Sequence, residues 1–459
     1  MSAAVALGRL RGALTGLVRN EAGAMLFAFT AATILLRLGG NIVLTRLLDP
    51  DAFGVVGIIV SVMMVLAMLS DLGVVDFVIR HAKGGDRHFL DVVWTVRLGQ
   101  GSLQALAMLA GAVPITALLH KPELAGPIAA TAPLFLLNAL CPMTLLLARR
   151  EGRVRATCAI ELIALAIQIA ANLGLTLLMP DYRALVIGLY VNAVARLVLT
   201  LLVLGGGFRP VWDGALAREF LGFSRWIMAS TLLTLLITQS DKILFARLFT
   251  MADFGIYMLA ANLALALQPF GRNYVERYFF PLVSRVWHDT PERLGAIFYA
   301  ARARLYPLLF AGFGFGVGFA PCLFGLLFDR RYEHGWIYLS VMILRMAFEL
   351  DSFANIQTAM AMGRTRPILT ANIIRFILFV LWVAALFRPL GPIALPVALT
   401  LAELGALVYS IGLLRRAKLF RLRAHALYYA VMVGAALIGA ALSLLFARDI
   451  VRAGLALIG

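Results

Sequence analysis

The sequence predicts an all-α polytopic membrane protein. About 12–14 transmembrane helices would form two pseudo-symmetric six-helix lobes around a central cavity. Three observations lead there. The 459-residue chain is 62% hydrophobic and only 14% charged, whereas soluble domains run at about 45–50% apolar and about 25% charged. Apolar runs of roughly 20 residues recur from end to end, each long enough to cross a ~30 Å hydrocarbon core as a helix. A ten-residue frame also occurs twice. Arg46-Leu47-Leu48-Asp49-Pro50-Asp51-Ala52-Phe53-Gly54-Val55 and Arg247-Leu248-Phe249-Thr250-Met251-Ala252-Asp253-Phe254-Gly255-Ile256 share Arg-Leu, an apolar residue, a polar tip, and Phe-Gly opening a new apolar run. Arg46 and Arg247 lie 201 positions apart, as do Phe53 and Phe254. That period is far longer than a solenoid unit and reads as a half-protein used twice, the parallel-repeat plan of some transporters.

Taken in order, residues 1–22 carry Arg9, Arg11 and Arg19 among Ala, Gly and Leu. This is too weakly apolar for a signal peptide and reads as a cytoplasmic amphipathic segment. The first lobe, 23–205, holds spans at about 24–48, 53–79, 89–119, 125–148, 156–179 and 183–205. A cytoplasmic linker, 206–219, follows, with Pro210 and consecutive glycines before it. The second lobe, 220–415, holds spans at about 220–249, 254–281, 305–328, 336–361, 368–387 and 392–414. The remainder, 416–459, supplies a thirteenth apolar run at about 425–447.

The formal charge of +17 suggests nucleic acid only until its placement is considered. Loops after the even-numbered spans carry roughly twenty Lys and Arg, those after the odd-numbered spans roughly seven. This alternation predicts a cytoplasmic N-terminus and argues against a nucleic-acid partner. Cys141, Cys158 and Cys322 lie in or beside apolar runs without metal spacing, and the six His are scattered. No metal or cofactor is expected. Asp49-Pro50-Asp51 has the Asp-x-Asp pattern of metal-dependent glycosyltransferases but sits on a tip of a few residues, where it reads as a turn. Gly312, Gly314, Gly316 and Gly318 alternate with Phe and Val; with no following Lys-Ser/Thr they suggest close helix packing rather than a phosphate loop.

Ionisable residues inside spans are costly and tend to face a cavity or a partner. Arg37 and Asn41 share one face of the first span, being four apart. The 201-residue offset puts Thr238 and Lys242 on the equivalent face of the seventh, with Asp241 adjacent. Arg272 and Glu276, and Arg345 and Glu349, are also four apart, and Arg97 and Arg375 stand in spans three and eleven. The spacing of the two Arg/Glu pairs fits intrahelical salt bridges as well as a ligand site. Sequence alone leaves both readings open.

The ordered set Arg46-Leu47-Leu48 with Phe53-Gly54, Ser70-Asp71-Leu72-Gly73, Asp241-Lys242 before Arg247, Phe254-Gly255, Pro281-Leu282-Val283-Ser284-Arg285 with Asp289-Thr290-Pro291-Glu292-Arg293, and Gly363-Arg364 resembles the polysaccharide transporters of the multidrug/oligosaccharidyl-lipid/polysaccharide exporter superfamily, the O-antigen flippase type. The resemblance covers roughly residues 25–415. It implies a non-enzymatic flippase of the bacterial inner membrane for polyprenyl-pyrophosphate-linked oligosaccharide, working by alternating access in lipopolysaccharide, capsule or exopolysaccharide synthesis. A polysaccharide polymerase and chain-length proteins are the further partners it implies. With that cargo, Arg37, Asn41, Arg97, Lys242, Arg272, Arg345 and Arg375 become the candidate substrate-binding set, since guanidinium groups suit phosphate. Asp241, Glu276 and Glu349 become candidates for coupling or charge balance. A small-molecule or drug cation antiporter of the same fold is the alternative. It would favour an acidic, aromatic cavity over an Arg series. A polysaccharide polymerase or ligase would carry a large outward loop, which this chain lacks.

Overall fold

The computed structural model describes residues 21–455 apart from Ala82, Gly152, Phe208 and Thr365. The amphipathic segment expected at 1–22 therefore lies outside the described residues except for its last two positions. Twenty α-helices follow one another without a strand among the described residues. They are α1 Glu21–Leu47, α2 Pro50–Leu69, α3 Val74–Arg80, α4 Arg87–Leu118, α5 Ala125–Ala129, α6 Pro133–Leu140, α7 Thr144–Arg150, α8 Val154–Leu178, α9 Tyr182–Leu204, α10 Gly214–Thr238, α11 Ser240–Leu248, α12 Met251–Leu265, α13 Gln268–Tyr274, α14 Phe280–Asp289, α15 Leu294–Leu327, α16 Gly335–Ala361, α17 Arg366–Leu390, α18 Ala394–Arg416, α19 Leu422–Phe446 and α20 Arg448–Leu455. Among the described residues, ten stretches are long and apolar enough to cross a membrane, and one of them, Arg366–Arg416, contains both α17 and α18. Helices α10 and α16, of 25 and 27 residues, also have crossing length. Arg345, Glu349 and Asp351 make α16 too charged to register as apolar. Together these segments match the thirteen predicted runs one for one.

Several predicted spans are broken rather than continuous, and each break has a local cause. The second stops at Leu69 and restarts at Val74 across Gly73, whose φ of 64° is left-handed. The backbone groups freed there find partners. Gln100 and Gln104 of α4 donate to the Ser70 carbonyl and hydroxyl, each at 2.6 Å. Ser224 of α10 donates to the Leu72 carbonyl at 2.7 Å. Asp71 accepts from the Gly73 N–H at 2.9 Å and from Thr231 of α10 at 3.3 Å. In the fourth span, Cys141-Pro142 separates α6 from α7, because a proline ring cannot continue the ladder. The seventh breaks at Gln239 between α10 and α11. The ninth begins at Leu294, earlier than predicted, and runs 34 residues.

The chain forms two compact units, divided between Gly255 and Ile256. In the first, α1 and α9 pack on α8, α4 on α6, and α10 on α2 and α4. Asp213 caps α10; its carboxylate accepts from the Leu216 and Ala215 N–H groups and faces His88, which holds it below the usual carboxylate range. In the second unit, α15 packs on α16 and most extensively on α19, while α18 packs on α16 and α17.

Glycine decides two of the closest approaches. A Cβ built on Gly54 would fall on the carbonyl oxygen of Met251, and one built on Gly255 would fall on that of Pro50. Gly54 and Gly255 are equivalent in the 201-residue repeat, and so are Pro50 and Met251. Both contacts lie within the first unit. The two copies of the motif therefore meet reciprocally. Along α15, Gly314 and Gly318 abut the Met432 and Ala436 carbonyls of α19, and Gly439 of α19 abuts the Phe315 carbonyl. This is the small-residue packing that lets membrane helices touch backbone to backbone. Placing a side chain at Gly318 overpacks that seam. Gly318→Val is expected to destabilise the protein by about 1–3 kcal/mol, read as a lowered melting temperature in detergent. Gly412→Ala, at a position with no atom within 4 Å of the added methyl, should hold or gain up to about 1 kcal/mol. Equal effects of the two would refute the seam.

Candidate functional site

The second unit gathers most of the charge carried inside its spans. Helix α13 starts after the bend at Ala266-Leu267 and brings Gln268 and Arg272 toward α16. A π-helical turn, Val275–Phe279, follows and carries Glu276. Such turns insert a residue into the helical ladder and often mark functional positions. From α16 come Arg345 and Glu349. The two intrahelical pairs form one ladder. Arg272 lies 3.6 Å from Glu276 and 3.8 Å from Glu349, and Arg345 lies 3.8 Å from the other oxygen of Glu349. Gln268 donates to Glu349 at 2.8 Å. The Arg272 guanidinium also sits 4.7 Å above the Phe353 ring, a cation–π contact. A small cavity of about 20 Å³, room for one water, is bounded by Gln268, Arg272, Phe313 and Glu349.

The ladder is balanced, with two cations and two anions, yet its contacts are loose. The ion-pair distances of 3.6–3.8 Å exceed the ~2.7–2.9 Å of a well-made charge-assisted hydrogen bond. Arg272 and Glu276 are about half exposed, at 47% and 48%. Long, half-solvated pairs are worth little and exchange partners readily. An anion could take Arg272 and Arg345 from their carboxylates at small cost.

The other charged groups of this unit are held much more firmly. Arg375 on α17 meets Glu403 on α18 side-on, with two hydrogen bonds of 2.8 Å. It also donates to Asn372 at 2.9 Å and to Ser352 at 3.0 Å. Arg302 on α15 is fully buried and donates to Asp351 at 2.8 Å and to Asn355. His425 and Tyr429 of α19 approach the second Asp351 oxygen at 3.3 and 3.2 Å. The Arg302 guanidinium lies 4.2 Å over the Phe298 ring.

In the first unit, Arg97 donates to the carbonyls of Asn138 and Cys141 at 2.7 and 3.4 Å. These belong to the end of α6, where Pro142 leaves helical carbonyls without partners. Arg196 of α9 donates to the Asn138 side chain. Arg97 thus serves as a helix cap. Arg37 is exposed on α1, with half-buried Asn41 one turn on. Lys242 is half-buried on α11, and the side chain of Asp241 lies outside the described residues. Of the predicted set, Arg272, Glu276, Arg345 and Glu349 come together; Arg375 is bound to Glu403 but touches the ladder through Ser352, which donates to the Glu349 carbonyl at 3.4 Å, whereas Arg97 stands in a separate network. Arg302, Glu403, His425 and Arg196 were missed. Glu403 had a signal, as a lone carboxylate inside an apolar run; Arg302 was read as part of a loop because α15 begins earlier than expected. Among the described residues, no cluster of His, Cys, Asp and Glu could hold a metal ion.

Solved structures share this polytopic helical fold with charge concentrated inside its spans. A lipid II flippase, MurJ, in an inward closed conformation matches with a TM-score of 0.67 at 11% identity, over 93% of this chain and 100% of that one. An inward-facing multidrug resistance transporter of the MATE family, in the MOP superfamily, matches with a TM-score of 0.59 at 15% identity, over 84% of this chain and 95% of that one. Residues 43–311, more than half of the chain, match the family Polysacc_synt_3, described as polysaccharide biosynthesis protein; the chain belongs to that family. It is 24% identical over 311 residues to the succinoglycan biosynthesis transport protein ExoT of Rhizobium meliloti (strain 1021), covering 66% of this chain. It is 24% identical over 304 residues to the lipopolysaccharide biosynthesis protein WzxC of Escherichia coli (strain K12), covering 64% of this chain. The matches span 61% of the length of each of these relatives.

The Arg375–Glu403 pair offers a sharp test of the structural assignment. Glu403→Leu leaves a buried guanidinium unpaired and is expected to cost about 3–5 kcal/mol of stability. The double variant Arg375→Met with Glu403→Leu should recover most of it, measured by thermal unfolding in detergent. A single variant as stable as the parent would contradict the pairing.

Proposed function

We propose that the chain is a flippase that moves oligosaccharide linked to polyprenyl pyrophosphate across the bacterial inner membrane, for assembly of a surface polysaccharide. The observation that carries this is the loose ladder Arg345–Glu349–Arg272–Glu276, half-exposed at its Arg272–Glu276 end, in a member of a polysaccharide biosynthesis family. The names of the relatives, one a succinoglycan transport protein and one a lipopolysaccharide biosynthesis protein, support the same cargo class. The chain carries its substrate without chemical change.

The chemistry follows from charge. A pyrophosphate is too costly to move through a low-dielectric slab without cations. Arg272 and Arg345 present planar paired donors that match phosphate oxygens. In the empty state, Glu276 and Glu349 neutralise them. When phosphate takes the guanidiniums, those carboxylates lose their partners and become free to bind a proton or cation, which couples transport to an ion gradient. Arg37, Asn41 and Lys242 with Asp241 belong to the proposed substrate path of the other half. Arg97 and Arg375 act on it indirectly, by fixing the helices that line it. Alternating access comes from rocking of one lobe against the other, with the polyprenyl tail left in lipid. The N-terminus is cytoplasmic, as the Lys/Arg distribution supports. A polysaccharide polymerase and chain-length proteins are the proposed partners.

The test joins genetics with lipid chemistry. In a deletion strain, lipid-linked oligosaccharide is expected to accumulate on the cytoplasmic face while surface polysaccharide is lost. Complementation by Arg272→Ala with Arg345→Ala should restore about a tenth or less of the surface polymer, while Arg272→Lys retains more. Unchanged surface polysaccharide, with new sensitivity to cationic dyes, would replace this reading with the drug/cation antiporter.

A further inference from the structure

A second pocket lies in the first unit, with an ion pair and three threonines in a largely apolar wall. It has a volume of about 350 Å³ and is lined by Phe29, Thr30 and Thr33 of α1, Arg149 of α7, and Thr157, Cys158 and Glu161 of α8. Both α1 and α8 contain membrane-crossing stretches, Ala28–Leu47 and Arg155–Leu178. In the pocket wall, Arg149 and Glu161 form an ion pair of 3.3 Å. Both are far from desolvated, with side-chain exposures of 43% and 42%. Such a pair opens at little cost, and each partner has capacity to spare. A guanidinium has five N–H donors and a carboxylate about four lone-pair sites.

We infer that this pocket binds the zwitterionic head of an aminophospholipid, with its phosphodiester on Arg149 and its primary ammonium on Glu161. The chemistry of the two walls selects that head. A cation and an anion one hydrogen bond apart are best matched together by a ligand whose own anion and cation are joined by a short link, and phosphoethanolamine joins them through two carbons. A choline head has no N–H to give Glu161. A glycerol head has no cation, so Glu161 would face its phosphate unscreened. Thr30, Thr33 and Thr157 add hydroxyls to the wall, and Phe29 adds an apolar surface for the methylenes beside the phosphate. The pocket adjoins the basic run Arg149-Arg150-Glu151-Gly152-Arg153, which the Lys/Arg distribution assigns to the cytoplasmic side. The lipid is therefore one of the cytoplasmic leaflet. The inference is independent of the cargo, since binding is read without transport.

The test is native mass spectrometry of the purified full chain, titrated with dioleoyl phosphatidylethanolamine, phosphatidylcholine or phosphatidylglycerol. The ethanolamine lipid should be retained over the other two by about tenfold, the value of one hydrogen bond to a charged group. Glu161→Gln should abolish that preference without weakening phosphatidylglycerol. Arg149→Gln should weaken both. Thr157→Phe, which takes up part of the pocket and keeps the ion pair, should reduce selective binding even if Arg149→Gln does not fold. Soluble glycerophosphoethanolamine should compete only weakly. Equal retention of the three lipids by the parent protein, or undiminished selectivity in Thr157→Phe, would overturn the site. Full competition by the soluble head would overturn its assignment to a membrane lipid.

Discussion

A charge inside a hydrocarbon slab must have a counter-charge, and the second unit is organised by how tightly each charge holds its own. Arg302–Asp351 and Arg375–Glu403 are short and buried, with bonds of 2.8 Å and further donors and acceptors around them. They fix α15, α16, α17 and α18 to one another, and α19 joins through His425 and Tyr429. The ladder of Arg272, Glu276, Arg345 and Glu349 has the same composition but longer distances and more exposed side chains. The same residue types do different work because of geometry. A buried, bidentate pair resists any competitor, whereas a long, half-solvated pair can be displaced by one. Helix α16 contributes to both kinds of site, one turn or less apart. The loose ladder therefore stands on a rigid frame.

The first unit handles an uncharged version of the same constraint. A backbone carbonyl or N–H left without a partner in the membrane costs several kcal/mol. Helix breaks at Gly73 and Pro142 create such groups, and polar side chains from neighbouring helices meet them. Gln100, Gln104 and Ser224 serve the first break, and Arg97 the second. Polar residues that look like substrate ligands in a linear reading can therefore be responses to irregular backbone. Arg97 is the clearest example, since nothing in its own helix distinguishes it from Arg37.

How far the sequence could be read follows from this. Apolar runs located thirteen helical segments of crossing length among the described residues, because hydrophobic length is a local property. The i,i+4 spacing of Arg272/Glu276 and Arg345/Glu349 placed each pair correctly on one face. Their joining across two helices could not be seen, since it depends on how α13 packs against α16. The breaks at Gly73 and Gln239 were missed because hydropathy continues across them. Arg302 was hidden by its position, inside a helix that starts in polar sequence. Glu403 and His425 were overlooked although each had a partner waiting on another helix, for pairing over 28 and 74 positions leaves no local trace.

The reciprocal contact of Gly54 with the Met251 carbonyl, and of Gly255 with the Pro50 carbonyl, has an evolutionary consequence. A sequence used twice is free to drift in either copy wherever the copies do not meet. At this crossing each copy is the other's environment, so the space available to one glycine is set by the backbone of its own duplicate. A side chain gained in one copy can be accommodated only by a backbone shift in the other. The contact therefore demands glycine at both Gly54 and Gly255, while the surrounding motif differs between the copies, Asp49-Pro50-Asp51 in one and Thr250-Met251-Ala252 in the other.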